Sequence, residues 1–358
     1  MRVKLSDVTK YLKGTQINGD DLIENGEYIY LNGGINPSGR WNAANVKGNT
    51  VTISEGGNSS GYVNYVTEPF WCGAHCYYLF DGPKNTRYLY YALKSQQERL
   101  FDIRSGACMP NIKKADLGKF EFEFDTDEQK QSKIVSLLSK IEVVISERKR
   151  ELKLLDELIK ARFIEMFGDP EINSMNLPVK PMTEVCEIID GDRGKNYPTQ
   201  EEFSDEGYCL FLNAKNVTPS GFSFENCMFV TKEKDEILRK GHLNRGDVVL
   251  TTRGTIGNLA FYDESIPYEN VRINSGMVIL RMNHEIVSEQ FFIEQFKMQL
   301  GSIKEKIASG SAQPQLPIST MNKIAVLMPS VEQQQVFTDF VKQIAKSKFT
   351  KTFRLLRC

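Results

Sequence analysis

Residues suited to catalysis are scarce in this chain of 358 residues, which contains three histidines and two tryptophans. The histidines, His75, His242 and His284, form no recognisable catalytic constellation. The sequence also lacks a Walker-type G-x-x-x-x-G-K-[ST] motif and an Asn-Pro-Pro-aromatic methyltransferase motif. These absences speak against an enzyme, and we expect a protein without catalytic chemistry of its own.

Long apolar runs are absent as well. No stretch approaches the ~18 consecutive apolar residues that a membrane-spanning helix needs, and the opening MRVKLSDVTKYLKG has no apolar segment of the signal-peptide type. Seven cysteines, an odd number, in a chain without an export signal indicate reduced thiols. We therefore expect a cytoplasmic protein. Its net charge of −1 is unlike that of a general DNA coat but compatible with DNA contact through confined patches.

The chain does contain a repeat. Residues 103–112 read IRSGACMPNI and residues 307–316 read IASGSAQPQL. LNGGINPSGRW likewise parallels LNAKNVTPSGFSF, and GNTVTISEGG parallels GDVVLTTRGT. Because these features keep the same order along the chain, the sequence predicts an internal duplication. In each copy the proline after Ser-Gly, Pro110 or Pro314, is predicted to end a helix and turn the chain towards a last strand.

Each copy combines a β-rich domain with a long helix, which predicts an α+β fold with pseudo-two-fold symmetry. Short alternating runs such as YIYLNG and DVVLTT predict the strands. We place the first β-rich domain at 1–125, a spacer helix at 126–168, the second domain at 169–329 and a shorter helix at 330–358. The first helix would be roughly 60 Å long, so we interpret it as a spacer between the domains.

The long helix carries apolar residues at alternating spacings of four and three, which is the pattern of a coiled-coil seam. The seam consists of Ile134, Leu138, Ile141, Ile145, Leu152, Leu155, Ile159 and Met166. Arg148 and Arg162 interrupt it, and we expect them to face water or partner carboxylates. On the second helix the predicted apolar face consists of Val336, Phe337, Phe340, Val341 and Ile344. Because an exposed seam is costly, we expect the helices to pair with each other or with a partner's helix.

Several local motifs carry a resemblance to a known family. In the second copy they are VVLTTRGTIGNLAFY, SGSAQPQL and MPSVEQQQ, and in the first copy TISEGGNSSGYVNY, PFWCGAHCYYL and DTDEQKQSKI. With these motifs in order, the whole chain resembles the specificity subunits of Type I restriction-modification systems. The resemblance implies a non-catalytic DNA reader whose two target-recognition domains each read half of a split double-stranded target through the major groove.

The resemblance also implies partners. Methyltransferase subunits, which use S-adenosylmethionine, would dock on the helices, and a restriction/translocase subunit, which uses ATP and Mg, would join for cleavage. No cofactor would be bound by this chain. The second helix is shorter than the first by about fourteen residues, so we expect reduced partner affinity unless the chain pairs with a second copy of itself.

Two other functions remain open at this point. A self-contained DNA methyltransferase or endonuclease would modify or cut DNA as a purified protein. A coiled-coil scaffold without a DNA role would show no DNA binding, whereas a DNA reader should lose affinity steeply as salt rises.

Polar and cationic residues beside predicted strands are the candidate DNA contacts, since Arg suits guanine or phosphate, amides suit adenine and Lys suits phosphate. They are Asn32, Arg40, Trp41, Asn58 and Ser59 in the first copy, and Arg193, Lys195, Asn213, Lys215, Asn216 and Arg253 in the second. The alternatives are a solvated turn or a carboxylate partner for Arg253, ordinary loop polarity for the other second-copy residues, and a core or lid position for Trp41. The CGAHC stretch predicts no metal site, because no second His/Cys cluster follows it.

Overall fold

The computed structural model describes residues 1–106, 108–308 and 315–355. The chain divides into two compact units, Met1–Ser146 and Glu147–Cys358. Each unit is a mixed arrangement of sheets and helices, in agreement with the predicted α+β class. The boundary between the units falls inside the long helix rather than at either of its ends.

The first unit is built from short strands that bury apolar and aromatic side chains. Its strands are β1 (Arg2–Lys4), β2 (Lys10–Lys13), β3 (Tyr28–Leu31), β4 (Gly39–Trp41), β5 (Thr50–Ser54), β6 (Val63–Val66), β7 (Phe70–Cys72), β8 (Cys76–Phe80) and β9 (Glu121–Glu123). Its helices are α1 (Leu5–Val8), α2 (Thr86–Lys94), α3 (Gln97–Asp102), α4 (Lys114–Lys119) and the start of α5 (Glu128–Phe167). An antiparallel sheet has the order β2-β8-β5-β6, and a second sheet has the order β4-β3-β7 with β3 and β7 parallel.

The second unit repeats this plan. Its strands are β10 (Val179–Pro181), β11 (Cys186–Asp190), β12 (Cys209–Leu212), β13 (Val217–Thr218), β14 (Gly221–Phe222), β15 (Phe229–Val230), β16 (Val248–Thr251), β17 (Leu259–Phe261), β18 (Val271–Ile273), β19 (Met277–Met282) and β20 (Ala325–Leu327). Its helices are α6 (Met182–Val185), α7 (Lys232–Ile237), α8 (Glu289–Ala308), α9 (Ile318–Met321) and α10 (Val331–Leu355), with the end of α5.

The sheets of the two units match strand for strand. The order β11-β19-β16-β17 repeats β2-β8-β5-β6, and β15-β12-β18 repeats β4-β3-β7 with the same parallel pair. The terminal pairs β1-β9 and β10-β20 also correspond. The second unit adds the small hairpin of β13 and β14 and the helix α7. The predicted internal duplication is therefore present in the fold itself.

Local sequence accounts for the ends of the long helix. Asp127 caps its N-terminus, because its Oδ1 accepts hydrogen bonds from the backbone N–H groups of Gln129 at 2.9 Å and Lys130 at 3.2 Å. The helix ends at Gly168, whose φ of 74° is left-handed, a conformation that glycine adopts without strain.

The two long helices pack together within the second unit, which is one of the two arrangements expected from the sequence. Phe163 and Phe167 of α5 are fully buried against Phe291 of α8 and Phe337 of α10. The ring centroids of Phe163 and Phe337 lie 5.4 Å apart, and those of Phe167 and Phe291 lie 5.0 Å apart. Such aromatic clusters combine large buried area with favourable edge-to-face geometry.

The heptad seam is only partly buried, which corrects the prediction for its first half. Ile159 is buried and Leu138, Leu152 and Leu155 are half-buried, but Ile134, Ile141 and Ile145 are about 40% exposed. The first unit instead packs on another face of α5, through the contacts of Tyr91 with Ser139 and Glu142. A seam read from spacing alone does not reveal which face meets the rest of the fold.

Other predicted helix and turn residues have mixed outcomes. Val336 is 55% exposed and does not belong to the buried face of α10. Arg148 and Arg162 form ion pairs along their own helix with Glu151 and Glu165, at 2.6 and 2.7 Å. Pro110 lies in a loop that follows α3 and is closed by two hydrogen bonds between the backbones of Ser105 and Asn111. Pro314 lies outside the described residues.

The aromatic cluster predicts a large effect of truncation. Replacing Phe163 by Ala should lower the free energy of unfolding of the second unit by about 3–5 kcal/mol, because a fully buried ring leaves a cavity. Ile164→Ala on the same helix is the matched control, since Ile164 is 47% exposed and should change stability by less than about 1 kcal/mol. Urea denaturation followed by circular dichroism measures both; equal effects would contradict the packing described.

Candidate nucleic-acid interface

Loops that border strands of both sheets meet in the second unit. The backbone N–H groups of Thr252 and Arg253, just after β16, donate to the Gly276 oxygen at 2.8 and 3.2 Å. The N–H of Ile273 donates to the Gly241 oxygen at 2.9 Å. Arg193, which follows β11, donates through Nη2 to the Ser275 oxygen at 3.2 Å. The sheet thus brings together loops that are far apart in sequence.

Four cations lie on these loops, and we call them the cationic edge. They are Arg193, Arg239, Lys240 and Arg253, all exposed. The first three line a cavity of about 430 Å³ between their loops. Arg193 pairs with Asp190 at 3.1 Å, whereas the guanidinium of Arg253 makes no hydrogen bond or ion pair within the described part of the chain. Exposed Arg and Lys side chains on adjoining loops are suited to phosphate groups.

Asp192 joins two of these loops. Its carboxylate is 6% exposed and accepts hydrogen bonds from the backbone N–H groups of Gly194 at 2.7 Å and Arg239 at 2.8 Å. The hydrogen bond from Gly194 is the main reason why the pKa of Asp192 is lowered, and the bond and charge of Arg239 add to it although burial opposes them. The Arg239 guanidinium lies close over Gly194, where an added Cβ would come within 2.7 Å of its Nη2. Glycine at this position therefore leaves room for Arg239.

The remaining candidates in the second unit differ in exposure. Asn216 is 1% exposed, and its amide is fully engaged with Asn213, Ser223 and Asn226 within one loop. Its predicted DNA contact is therefore corrected to a loop-holding role. Asn213 is half-buried, whereas Lys215 is exposed. Lys195 is also exposed and lies two residues beyond Arg193 in the same loop.

Most candidates in the first unit hold local structure. Arg40 donates to the backbone oxygens of Gly26 at 2.5 Å and Glu27 at 2.7 Å. Trp41 packs edge-on against Trp71 with ring centroids 6.4 Å apart, which fits the lid alternative. Three further candidates, Asn32, Asn58 and Ser59, lie near the loops at the edge of the sheet.

Of these three, Asn32 accepts a hydrogen bond from the backbone N–H of His75 at 3.2 Å. Ser59 donates to the Gly33 oxygen at 2.7 Å. Asn58 is exposed. The polar groups of Asn32 and Ser59 therefore take part in forming the turns, and Asn58 is the one of the three with an open surface position.

An ion-pair cluster occupies the same edge of the first unit's sheet. The carboxylate of Glu55 lies 2.7 Å from Lys13 Nζ and 3.2 Å from His75 Nδ1. Burial raises the pKa of Glu55, but hydrogen bonds from Lys13 and His75 outweigh it and leave that pKa below its ordinary value. The positive charge of Lys13 is therefore largely offset at this edge.

The CGAHC stretch separates its potential ligands. Cys72 and Cys76 are buried, whereas the side chain of His75 is 59% exposed and lies in the turn before β8. A hydrogen bond with Cys76, together with burial, raises the pKa of the Cys72 thiol. Within residues 1–106, 108–308 and 315–355, no group of three or more His, Cys, Asp or Glu side chains is arranged to hold a metal ion.

Arg239 and Lys240 were missed by the sequence-based reasoning. The signal that could have found them is the basic pair before a glycine in ILRKGH. Their relevance depends on the hydrogen bond from the N–H of Ile273, at the end of β18, to the Gly241 oxygen, which no local pattern reveals.

A protein-family model decides the identity. The model described as the Type I restriction modification DNA specificity domain matches residues 1–155 and 176–354, most of both units. The chain belongs to the Type I restriction-modification DNA specificity family. It is a non-catalytic specificity subunit that recognises DNA with two domains, which confirms the resemblance found in its sequence.

Individual relatives agree with this assignment. A Mycoplasma genitalium protein named as a type I specificity subunit is 29% identical over 325 residues, covering 88% of this chain and 78% of its own. A Mycoplasma pneumoniae protein with the same description is 28% identical over 317 residues, covering 84% and 77%. These relatives extend along both recognition domains of the subunit.

Solved structures show the same fold. The crystal structure of the S subunit of a Type I restriction-modification system from M. genitalium aligns with a TM-score of 0.62 at 22% identity, covering 100% of this chain and 92% of that one. A chain from a structure concerned with complex assembly and conformational transition of the type I system aligns with a TM-score of 0.51 at 14% identity, covering 100% and 94%. Among the described helices of the subunit, none is both long and apolar enough to cross a membrane.

The role of Asp192 in the specificity subunit is testable by removing its charge. Asp192→Ala should weaken binding to duplex DNA by roughly fivefold to tenfold, because two hydrogen bonds of about 1 kcal/mol each that hold the cationic loops are lost. Simple charge removal would act in the opposite direction and strengthen binding to a polyanion. Fluorescence anisotropy with a labelled duplex measures the change.

The control is Asp205→Ala, which removes the same charge from an exposed loop. This variant should bind DNA as well as the wild type or slightly better. If Asp192→Ala bound DNA more tightly than the wild type, the positioning role of Asp192 would be wrong.

Proposed function

We propose that the specificity subunit reads a bipartite double-stranded target, with one half-site bound by the loop edge of each recognition domain. The observation that carries this proposal is the cationic edge of the second unit. Its four cations come from three separate loops that strand pairing brings together, and three of them line one cavity. Contacts to phosphates would fix the position of each domain, and neighbouring side chains in the major groove would read the bases.

The repeated fold supports one half-site for each unit. After β5 the N–H of Glu55 donates to the His75 oxygen at 2.8 Å, and after β16 that of Thr252 donates to the Gly276 oxygen at 2.8 Å. The same edge therefore exists twice, built from corresponding strands. Two similar surfaces on one chain suit a target with two separated parts.

We propose further that the long helices set the spacing of the half-sites and dock methyltransferase subunits. The helix α5 spans forty residues and would be about 60 Å long, which exceeds the roughly 34–36 Å of one DNA turn. Large apolar side chains are exposed along it, including Leu137 at 61%, Val143 at 62% and Leu154 at 51%. Exposed apolar surface of this extent is typical of an interface with another protein.

The remaining partners follow from the same assembly. S-adenosylmethionine would be bound by the methyltransferase partner, and ATP and Mg by a restriction/translocase partner, so this chain itself would bind no cofactor. A second copy of this chain is a further candidate for covering the helices. The assembly would act on DNA in the cytoplasm.

A bacterial methylome provides the test. In a strain that expresses the partner methyltransferase, deleting the gene for this subunit should abolish adenine methylation at one bipartite motif, and restoring the gene should recover it. Complementation with Arg239→Ala/Lys240→Ala should lower the methylated fraction at that motif, whereas Glu201→Ala, a change on an exposed segment, should not. A bipartite motif that stayed methylated without the gene would contradict the proposal.

A further inference from the structure

The two units share strand pairing, so residues next to their paired strands correspond, although the second unit has a longer loop that contains α7 between β15 and Leu243. In the parallel pairs, Phe70 lies opposite Ile29 and Val271 opposite Leu210. The N–H of Val46 donates to the Phe70 oxygen at 3.1 Å, and that of Leu243 donates to the Val271 oxygen at 2.9 Å. Val46 and Leu243 therefore occupy equivalent positions.

The same comparison applies to the residues that precede Val46 and Leu243. Counting back from Val46 and Leu243, Asn42 and Ala43 lie at the same sequence distance as Arg239 and Lys240. The whole segment 42–45 between β4 and Val46 carries no charge, whereas the longer second loop carries both cations. Two further pairings fix the positions after β5 and β16.

Ser54 lies opposite Cys76 and Thr251 opposite Met277 in the two sheets. Two residues later, Gly56 pairs with Asn111 and Arg253 pairs with Gln315. Gly56 therefore stands where the second unit has Arg253.

The position of the fourth cation, Arg193, also holds a neutral residue in the first unit. Tyr11 lies opposite Leu79, and Ile188 lies opposite Leu280. Five residues further on, the first unit has Gln16 where the second has Arg193. All four positions of the cationic edge are thus neutral in the first unit.

The fold does not enforce this neutrality. Gln16, Asn42 and Ala43 are exposed, so a longer side chain would extend into solvent at these positions. A Cβ added at Gly56 would meet only His75 Nδ1 at 3.8 Å, which is ordinary contact. The difference between the units is therefore one of surface chemistry.

Other cations near the first unit's edge are engaged. Lys13, which stands where the second unit has Asp190, lies 2.7 Å from Glu55. Arg104 donates to the backbone oxygens of Phe101 at 2.6 Å and Asn58 at 3.4 Å, and its guanidinium lies 4.7 Å from the centre of the Phe101 ring. Neither side chain replaces the cationic edge of the second unit.

We infer that the two recognition domains share the binding of DNA unequally: the second supplies most of the salt-dependent affinity, and the first reads its half-site with few ionic contacts. This inference rests on the proposed function. Each phosphate neutralised by a cation releases counterions, so log K falls with log salt by about 0.9 for every such contact. The second domain should therefore dominate the salt slope.

The test transplants first-unit chemistry into the second unit of the full chain. The variant carries Arg193→Gln, Arg239→Asn, Lys240→Ala and Arg253→Ala, and the probe is a labelled duplex of random sequence, whose binding needs no knowledge of the target. Affinity is measured by fluorescence anisotropy over a series of NaCl concentrations. We expect the slope of log K against log salt to fall by about 2–4 relative to wild type, with the lower value if Arg193 and Arg239 keep their ion pairs with Asp190 at 3.1 Å and Asp192 at 3.9 Å.

The matched control removes two cations from the first unit by Lys13→Ala and Arg104→Ala. It should change the slope by less than about 1 in total. If each removed cation changed the salt slope equally in the two variants, the unequal division between the domains would be wrong. The proposal that the subunit recognises DNA would still stand. A wild-type chain that bound no duplex at any salt would instead refute the proposed function itself.

The reverse transplant keeps the inference testable if the four-residue variant does not fold. Gln16→Arg, Asn42→Arg, Ala43→Lys and Gly56→Arg introduce the cationic edge into the first unit at positions that have room for it. The slope should rise by about 3–4. An unchanged slope in the folded reverse variant would overturn the inference.

Discussion

The site depends on one constraint, the strand pairing within each unit, because this pairing fixes where the loops emerge. In the second unit, Thr252 donates its N–H to the Gly276 oxygen at 2.8 Å and accepts a hydrogen bond from Leu316 N–H at 2.9 Å. In the first unit, Glu55 makes the same two bonds, with His75 and Ile112. A one-residue shift in either sheet would turn alternate side chains to the opposite face, so the edges remain in register even where their residues differ.

This constraint separates what the subunit must keep from what it is free to vary. The backbone bonds at the edge are independent of side-chain identity, so Glu55 and Thr252 serve equally well. Side chains that project from the loops change the surface charge and hydrogen-bonding groups without changing the backbone that carries them. In the second unit these side chains form a cationic edge, whereas in the first unit Lys13 is paired with Glu55 at 2.7 Å. Two readers with different surface chemistry can thus be built on one repeated scaffold.

The sequence predicted the α+β class, the duplication and the long helix, because turn motifs and apolar periodicity report local structure directly. It predicted an overly long buried seam, since the face that α5 buries is chosen by tertiary contacts. It proposed Asn216 as a DNA contact, but the side-chain amide of Asn216 donates its hydrogen bonds inside its own loop. It missed Arg239, whose backbone N–H is held at the site by a hydrogen bond to Asp192, far away in the chain.

Hydrogen exchange of the subunit with and without duplex DNA tests the central claim most directly, because it reports which backbone segments the DNA covers or orders. The account predicts slower exchange at 192–194, 239–242 and 252–254, the segments that carry the cationic edge, with unchanged exchange at the aromatic cluster around Phe163. Protection by DNA confined to the long helix α5, with these three segments unaffected, would contradict it.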